Sequence, residues 1–223
     1  MKSFGGLYAI SDSSFGDPVA LGKALLSGNP CALQLRCKDW SLSQAEAALR
    51  SLLPLCRERG VPLIVNDHPQ LAFLADGVHL GQDDGPIDRS LLPKDCIVGR
   101  STHSLDQAQQ AVDEGADYLG FGPLFPTQTK ATGYSPQGLE QLEIIARSVP
   151  LPVVAIGGIQ LSHIQAIQAC GAAAWAPISA ILASENPEEQ APRFTPSAFD
   201  TQPTHLPPAG SDYPGAGGHE SSG

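Results

Sequence analysis

Short apolar runs alternate with longer segments of helical spacing through most of the chain. Residues 7–10 read as a strand that ends in Ser11-Asp12-Ser13-Ser14, and residues 18–26 as a helix with Asp17 as its cap and Pro18 at the first helical position. A second strand starts with Cys31-Ala32-Leu33 and runs into Gln34-Leu35-Arg36-Cys37-Lys38; Ser41 and Ser43 then open a long helix to Arg59, stopped by Gly60. The same reading gives strands at 62–66, 77–80, 95–99, 117–121 and 152–156, and helices at 71–75, 87–92, 105–114, 136–147 and 161–170. An apolar stretch at 172–178 supplies the last strand.

Eight apolar strands alternating with helices, about 20 to 30 residues apart, predict a (β/α)8 TIM barrel whose sites lie at the carboxyl ends of the strands. A doubly wound open sheet is the alternative, because pattern alone does not establish closure. The expected organisation is one barrel domain over residues 1–184 followed by a solvated tail over 185–223. That tail holds seven prolines, five glycines and six acids against the single base Arg193. Its prolines interrupt what would be the eighth outer helix, since a proline inside a helix costs about 3 kcal/mol.

Composition narrows the function classes. The chain of 223 residues carries a formal net charge of -10, and so lacks the basic footprint of a nucleic-acid binder. No apolar run reaches the roughly 18 residues that cross a bilayer, and the first residues leave no room for a secretory signal, so a cytoplasmic location is expected. The five cysteines form an odd, scattered set without a CxxC pair, which argues against a disulfide framework or a structural zinc site. No Ser-His-Asp order suggests a nucleophilic triad.

The polar residues just past the strands carry the candidate chemistry. Strand alternation places Gln34, Arg36 and Lys38 on one face, an amide and two cations suited to an anion such as pyrophosphate. Strand three ends in Asn66-Asp67 and strand four is followed by Asp83-Asp84. In a barrel these share one mouth, where Asp67 and Asp84 facing Arg36 and Lys38 have the logic of a magnesium-pyrophosphate site. Gly157-Gly158 and Ile178-Ser179 follow strands seven and eight, where barrels often seat a phosphate. His79 and His103 read as structural histidines, and Trp175 as packing close to the mouth.

The chain resembles the thiamine phosphate synthases. The likeness is carried by the motif at 34–38, Val65-Asn66-Asp67, the segment 76–84, Gly99-Arg100-Ser101-Thr102-His103-Ser104, the segment 120–130, Ala155-Ile156-Gly157-Gly158-Ile159 and Ile178-Ser179-Ala180-Ile181. It implies a barrel enzyme joining an aminopyrimidine methyl pyrophosphate to a thiazole phosphate, with release of pyrophosphate. By that likeness Gln34, Arg36, Lys38, Asn66 and Lys130 hold the pyrimidine pyrophosphate, Ser101 sits by the pyrimidine, and Asp67 and Asp84 bind Mg2+. Thr127, Thr129, Gly158, Ile178 and Ser179 take the thiazole phosphate, and Arg36, Lys38, Ser101 and Lys130 serve catalysis. The partners implied are small phosphorylated molecules.

Arg100 and His103 also resemble the related thiazole tautomerases, and the segment Ala172-Ala173-Ala174-Trp175-Ala176-Pro177 departs from the family's usual last strand. An isomerase and a catalytically silent precursor-binding barrel are therefore the competing readings.

Overall fold

The computed structural model describes residues 4–127 and 135–196. Eight parallel strands close in sequence order into one barrel: β1 (Gly6–Asp12), β2 (Ala32–Arg36), β3 (Leu63–Asn66), β4 (Gly77–Leu80), β5 (Ile97–Thr102), β6 (Tyr118–Phe121), β7 (Val153–Ile156) and β8 (Ala174–Ala176). Closure decides for the barrel over the open sheet. Both faces of each strand are covered, which is why the strands read as apolar runs. Along β1, Leu7 and Ala9 join the layer between strands and helices, while Tyr8 and Ile10 enter the lumen beside Ile64, Tyr118, Val154, Ala174 and Ala176.

The helices form where capping and spacing agree. In α1 (Pro18–Leu25) the Asp17 side chain accepts from the N–H groups of Val19 and Ala20. The long α2 (Leu42–Arg59) starts with a reciprocal Ser41–Gln44 box and ends at Gly60, whose left-handed φ of 62° glycine adopts without strain. The remaining helices are α3 (Leu105–Asp113), α4 (Gly138–Ser148), α5 (Ile164–Ala169), α6 (Ile178–Leu182) and α7 (Pro187–Gln190). No helix among the described residues is long and apolar enough to cross a membrane.

Several elements differ from the sequence expectation. The helices expected at 71–75 and 87–92 are 3-10 turns, Pro69–Leu74 and Arg89–Leu91. Pro69 opens the first, and Pro86 and Pro93 flank the second, so neither segment has an uninterrupted run for an α-helix. The expected helix at 161–170 splits into a 3-10 turn at Leu161–His163 and α5. β5 runs on to Thr102, so Ser101 and Thr102 belong to the strand and do not follow it. Arg100 therefore points away from the lumen: it is buried, with Nη2 4.0 Å from Glu114 Oε2, and Glu114 in turn accepts from Ile87 N–H.

β8 is shorter than its apolar stretch suggests. It ends at Ala176, so Pro177 removes no ladder donor and instead leads into α6. Ala174 and Ala176 face the lumen, and Trp175 faces outward, fully buried, donating its indole N–H to the Phe194 carbonyl at 2.8 Å. The ordered chain thus passes the boundary expected at 184. Asn186 caps α7, a 3-10 turn follows at Ala191–Phe194, and Phe194 is 1% exposed. Thr195 Oγ1 donates to Gly28 O, and Ser27 Oγ donates to Glu188 O. Residues 185–196 therefore belong to the barrel's outer layer, where burial of Phe194 outweighs the proline-rich composition. The rest of the expected tail, 197–223, lies outside the described residues.

Candidate active site

Strand periodicity places polar groups at the carboxyl ends of the strands. A cavity opens there, with Gln34 and Arg36 from β2, Asn66 from β3, Ser101 from β5, Thr127, Gly158, Ile178 and Ser179 on its wall. Eight residues anticipated from the sequence thus share one space. Lys130 and Thr129 lie outside the described residues.

The remaining three, Lys38, Asp67 and Asp84, stand together at the β2–β4 rim. Burial pushes the Asp67 carboxyl above its ordinary range. The charge of Asp84 and a hydrogen bond with it push the same way, while the nearby cations Lys38 and Arg36 oppose the shift. Asp67 adopts a left-handed conformation at φ 61°, its N–H held by the His79 carbonyl at 2.9 Å. A non-glycine residue kept there stores of order 1 kcal/mol or more, a strain that clusters at ligand sites. Asp84 Oδ2 accepts from Gly81 N–H at 2.6 Å, which fixes the second carboxylate on its own turn.

Arg36 is not a free cation. Its Nη1 pairs with Oδ2 of Asp12 at the end of β1, and Asp12 is 2% exposed, its other oxygen taken by the N–H and hydroxyl of Ser14. The acid holds the guanidinium in one place at the mouth. Asp12 lines the cavity but was absent from the sequence candidates, because Ser11-Asp12-Ser13-Ser14 reads as a plain polar turn. Its position at the end of a strand was the available signal.

The floor is largely aromatic. Tyr8, Tyr118 and His79 lie beneath the cavity, and Ile10, Val154, Ile156 and Ala176 give it an apolar wall. His79, read from sequence as structural, is indeed hydrogen-bonded, Nδ1 to Tyr118 OH at 3.0 Å and Nε2 to Ser101 Oγ at 2.9 Å, yet it also lines the cavity. His103 lines it too, its Nδ1 bonded to Gly122 O. Tyr8 and Tyr118 gave no signal beyond that of aromatic residues in buried strands. Gly157 and Gly158 turn the chain at φ 95° and 67°; a Cβ at Gly158 would come within 2.6 Å of Pro126 O. Trp175 stays out of the cavity and does not narrow it.

The fold and mouth define a class: a (β/α)8 barrel enzyme with cations and paired carboxylates at one rim of a largely apolar pocket. Residues 7–181 match the thiamine monophosphate synthase family, and the chain belongs to it. It is 45% identical over 200 residues to the thiamine-phosphate synthase of Anaeromyxobacter dehalogenans, covering 88% of each chain. It is 40% identical to that of Herpetosiphon aurantiacus, covering 84% of this chain and 94% of the relative. Among solved structures it is similar to the thiamine phosphate pyrophosphorylase of Pyrococcus furiosus, with a TM-score of 0.79 and 33% identity over 86% of this chain and 94% of that one. The geranylgeranylglyceryl phosphate synthase of Thermoplasma acidophilum, at 12% identity and a TM-score of 0.63, shares the fold alone.

Proposed function

We propose that this chain is a transferase of thiamine biosynthesis that joins an aminopyrimidine methyl pyrophosphate to a thiazole phosphate, giving thiamine phosphate and pyrophosphate. The observation that carries this reading is the Asp67–Asp84 carboxyl pair within electrostatic reach of Arg36 and Lys38, on the rim of the cavity that holds Gln34 and Ser101.

The donor set fits a magnesium ion. Two carboxylates supply oxygen ligands, which is what such an ion takes from protein when substrate phosphates and water complete its shell. Burial, and after it the neighbouring Asp84 carboxyl, raises the Asp67 pKa, and a cation between the two would offset both. Asp67 and Asp84 would hold the ion, which when bound neutralises charge on the diphosphate.

The chain's own side chains then account for the rest. The carbon–oxygen bond to the pyrophosphate breaks with its electron pair on the departing oxygen, and Arg36 and Lys38 stabilise that charge. Asn66, held at the end of β3, and Gln34 on β2 orient the pyrimidine half. The thiazole nitrogen donates its lone pair to the methylene carbon, so no protein nucleophile takes part. Ile10, Val154, Ile156 and Ala176 keep water from the cationic carbon, and positioning supplies much of the acceleration. Thr127, Gly158, Ile178 and Ser179 line the cavity and are assigned to the thiazole phosphate; by the family likeness Thr129 is assigned to the same phosphate and Lys130 to the pyrophosphate. Reaction inside a cell, on soluble phosphorylated substrates, accords with the expected cytoplasmic location.

Purified protein mixed with both substrates should release thiamine phosphate when Mg2+ is added and little without it, as followed by chromatography. Failure to form product under saturating substrate would overturn the assignment. Conversion of the thiazole phosphate to an isomer without metal would replace it with the tautomerase reading, and tight calorimetric binding of both substrates without product would replace it with the silent barrel.

A further inference from the structure

Five side chains from five strands make one continuous hydrogen-bonded chain across the lumen. Gln34 Nε2 on β2 donates to Tyr8 OH on β1 at 3.0 Å, and Tyr8 OH meets Tyr118 OH on β6 at 2.6 Å. Tyr118 OH meets His79 Nδ1 on β4 at 3.0 Å, and His79 Nε2 meets Ser101 Oγ on β5 at 2.9 Å. The fold makes room for this arrangement. A Cβ at Gly99 would stand 2.1 Å from Tyr118 Cζ and 2.5 Å from His79 Nδ1, and one at Gly120 would stand 3.2 Å from His79 Cε1. Burial pushes both phenols upward, so each keeps its hydrogen.

The Tyr8 hydroxyl accepts from the Gln34 amide, and among the described residues its own hydrogen has the Tyr118 hydroxyl to go to, so the links run in one common sense. Tyr8 receives from the Gln34 amide nitrogen, and its own hydrogen goes to Tyr118. Tyr118 then gives to His79 Nδ1, which leaves the imidazole hydrogen on Nε2, directed at Ser101. An imidazolium would send hydrogens out through both nitrogens and leave the Tyr8 hydroxyl hydrogen facing the Gln34 N–H, a buried conflict that costs about 1–3 kcal/mol.

We propose that this chain fixes His79 as its Nε2–H tautomer and thereby turns the Ser101 hydroxyl into a hydrogen-bond donor toward the cavity, selecting a heteroaromatic substrate that offers a ring nitrogen at that point. His79 and Tyr118 are positioning residues that act through Ser101. The choice of ring rests on the synthase reading, whereas the polarity of the chain belongs to the free protein.

Two measurements test it. In protein labelled with [15N]histidine, the resonances lost in His79→Gln identify His79 among the six histidines. A pyrrole-like Nε2 with a pyridine-like Nδ1 is expected, and the opposite pattern or a fast-exchanging average would overturn the proposal. The second uses the aminopyrimidine pyrophosphate and its two pyridine analogues, each with one ring nitrogen replaced by C–H. One analogue should raise KM at least tenfold in the unmodified enzyme, with kcat changed less, and that penalty should shrink to under threefold in Ser101→Ala and in Tyr118→Phe. A merely structural role would move parent and analogue together, so an unchanged ratio in Ser101→Ala would also overturn it. The Nε2–H pattern in a protein that forms no product would uphold the chain's polarity while overturning the synthase reading.

Discussion

The two halves of the cavity use opposite physics. At the β2–β4 rim, Lys38 and Asp84 are exposed, Arg36 and Asp67 are half-buried, and the Asp67 backbone is strained. On the floor, Tyr8, Tyr118 and His79 are buried and hydrogen-bonded to one another. The rim suits a ligand that arrives with charge and leaves with it, because its cations and carboxylates still reach solvent and can trade water for phosphate. The floor suits a flat ring whose recognition depends on which atom gives a hydrogen. If the rim meets the leaving group and the floor selects the ring, as proposed, changes in the two halves should have different signatures.

The largest effect is expected at the rim. Arg36→Ala removes the cation proposed to meet the pyrophosphate and also leaves Asp12 as an unpaired buried carboxylate. Turnover should fall about 10²–10³-fold, and stability to urea by about 3–5 kcal/mol. The double change Asp12→Asn/Arg36→Ala should recover most of that stability and none of the turnover. Recovery of activity in the double variant would show that the pair matters only for folding.

A smaller effect is expected on the floor. Gly99→Ala drives a methyl into Tyr118 and should cost about 1–3 kcal/mol in thermal unfolding through overpacking. Its kinetic cost should appear in KM for the pyrimidine more than in KM for the thiazole phosphate. Equal shifts in both constants would mean that the floor does not belong to one substrate.

The smallest change in stability has the opposite sign. Asp67→Asn should abolish magnesium-dependent turnover yet raise the midpoint of thermal unfolding at neutral pH in metal-free buffer by a few degrees at most, since asparagine also tolerates a positive φ. The direction follows from the raised pKa. A carboxyl whose pKa is raised in the folded state contributes stability in full below the ordinary carboxylate range and loses it as pH rises through the raised value. The advantage of the Asp67→Asn variant should therefore fade on acidification through that window. A variant less stable than the parent at neutral pH would contradict it.

The rim was legible in the sequence because charged residues just past apolar runs have few structural uses, and a period of two puts Gln34 and Arg36 on one face. The floor was not. Tyr8, Tyr118 and His79 sit inside strands where aromatic residues ordinarily only pack, and their hydrogen bonds join residues as far apart as Tyr8 and Tyr118. Trp175 shows a third case. Its strand has three residues, too few to set a register by pattern, so whether the indole filled the cavity or the outer layer depended on the hydrogen bonds between β7 and β8. The turns at 69–74 and 89–91 read as helices for a related reason, since short apolar spacing survives in either geometry.

The join between the first and last strands is the narrowest in the ring: β1 meets β8 through the pairs Gly6↔Ala174 and Leu7↔Trp175, against five pairs with β2. Beside that join the Trp175 indole is tied to the main chain at Phe194. Cutting the polypeptide at 184 would therefore do more than trim a loose appendage. It would leave an indole donor without its acceptor and bare the flank of the seam that turns a sheet into a cylinder.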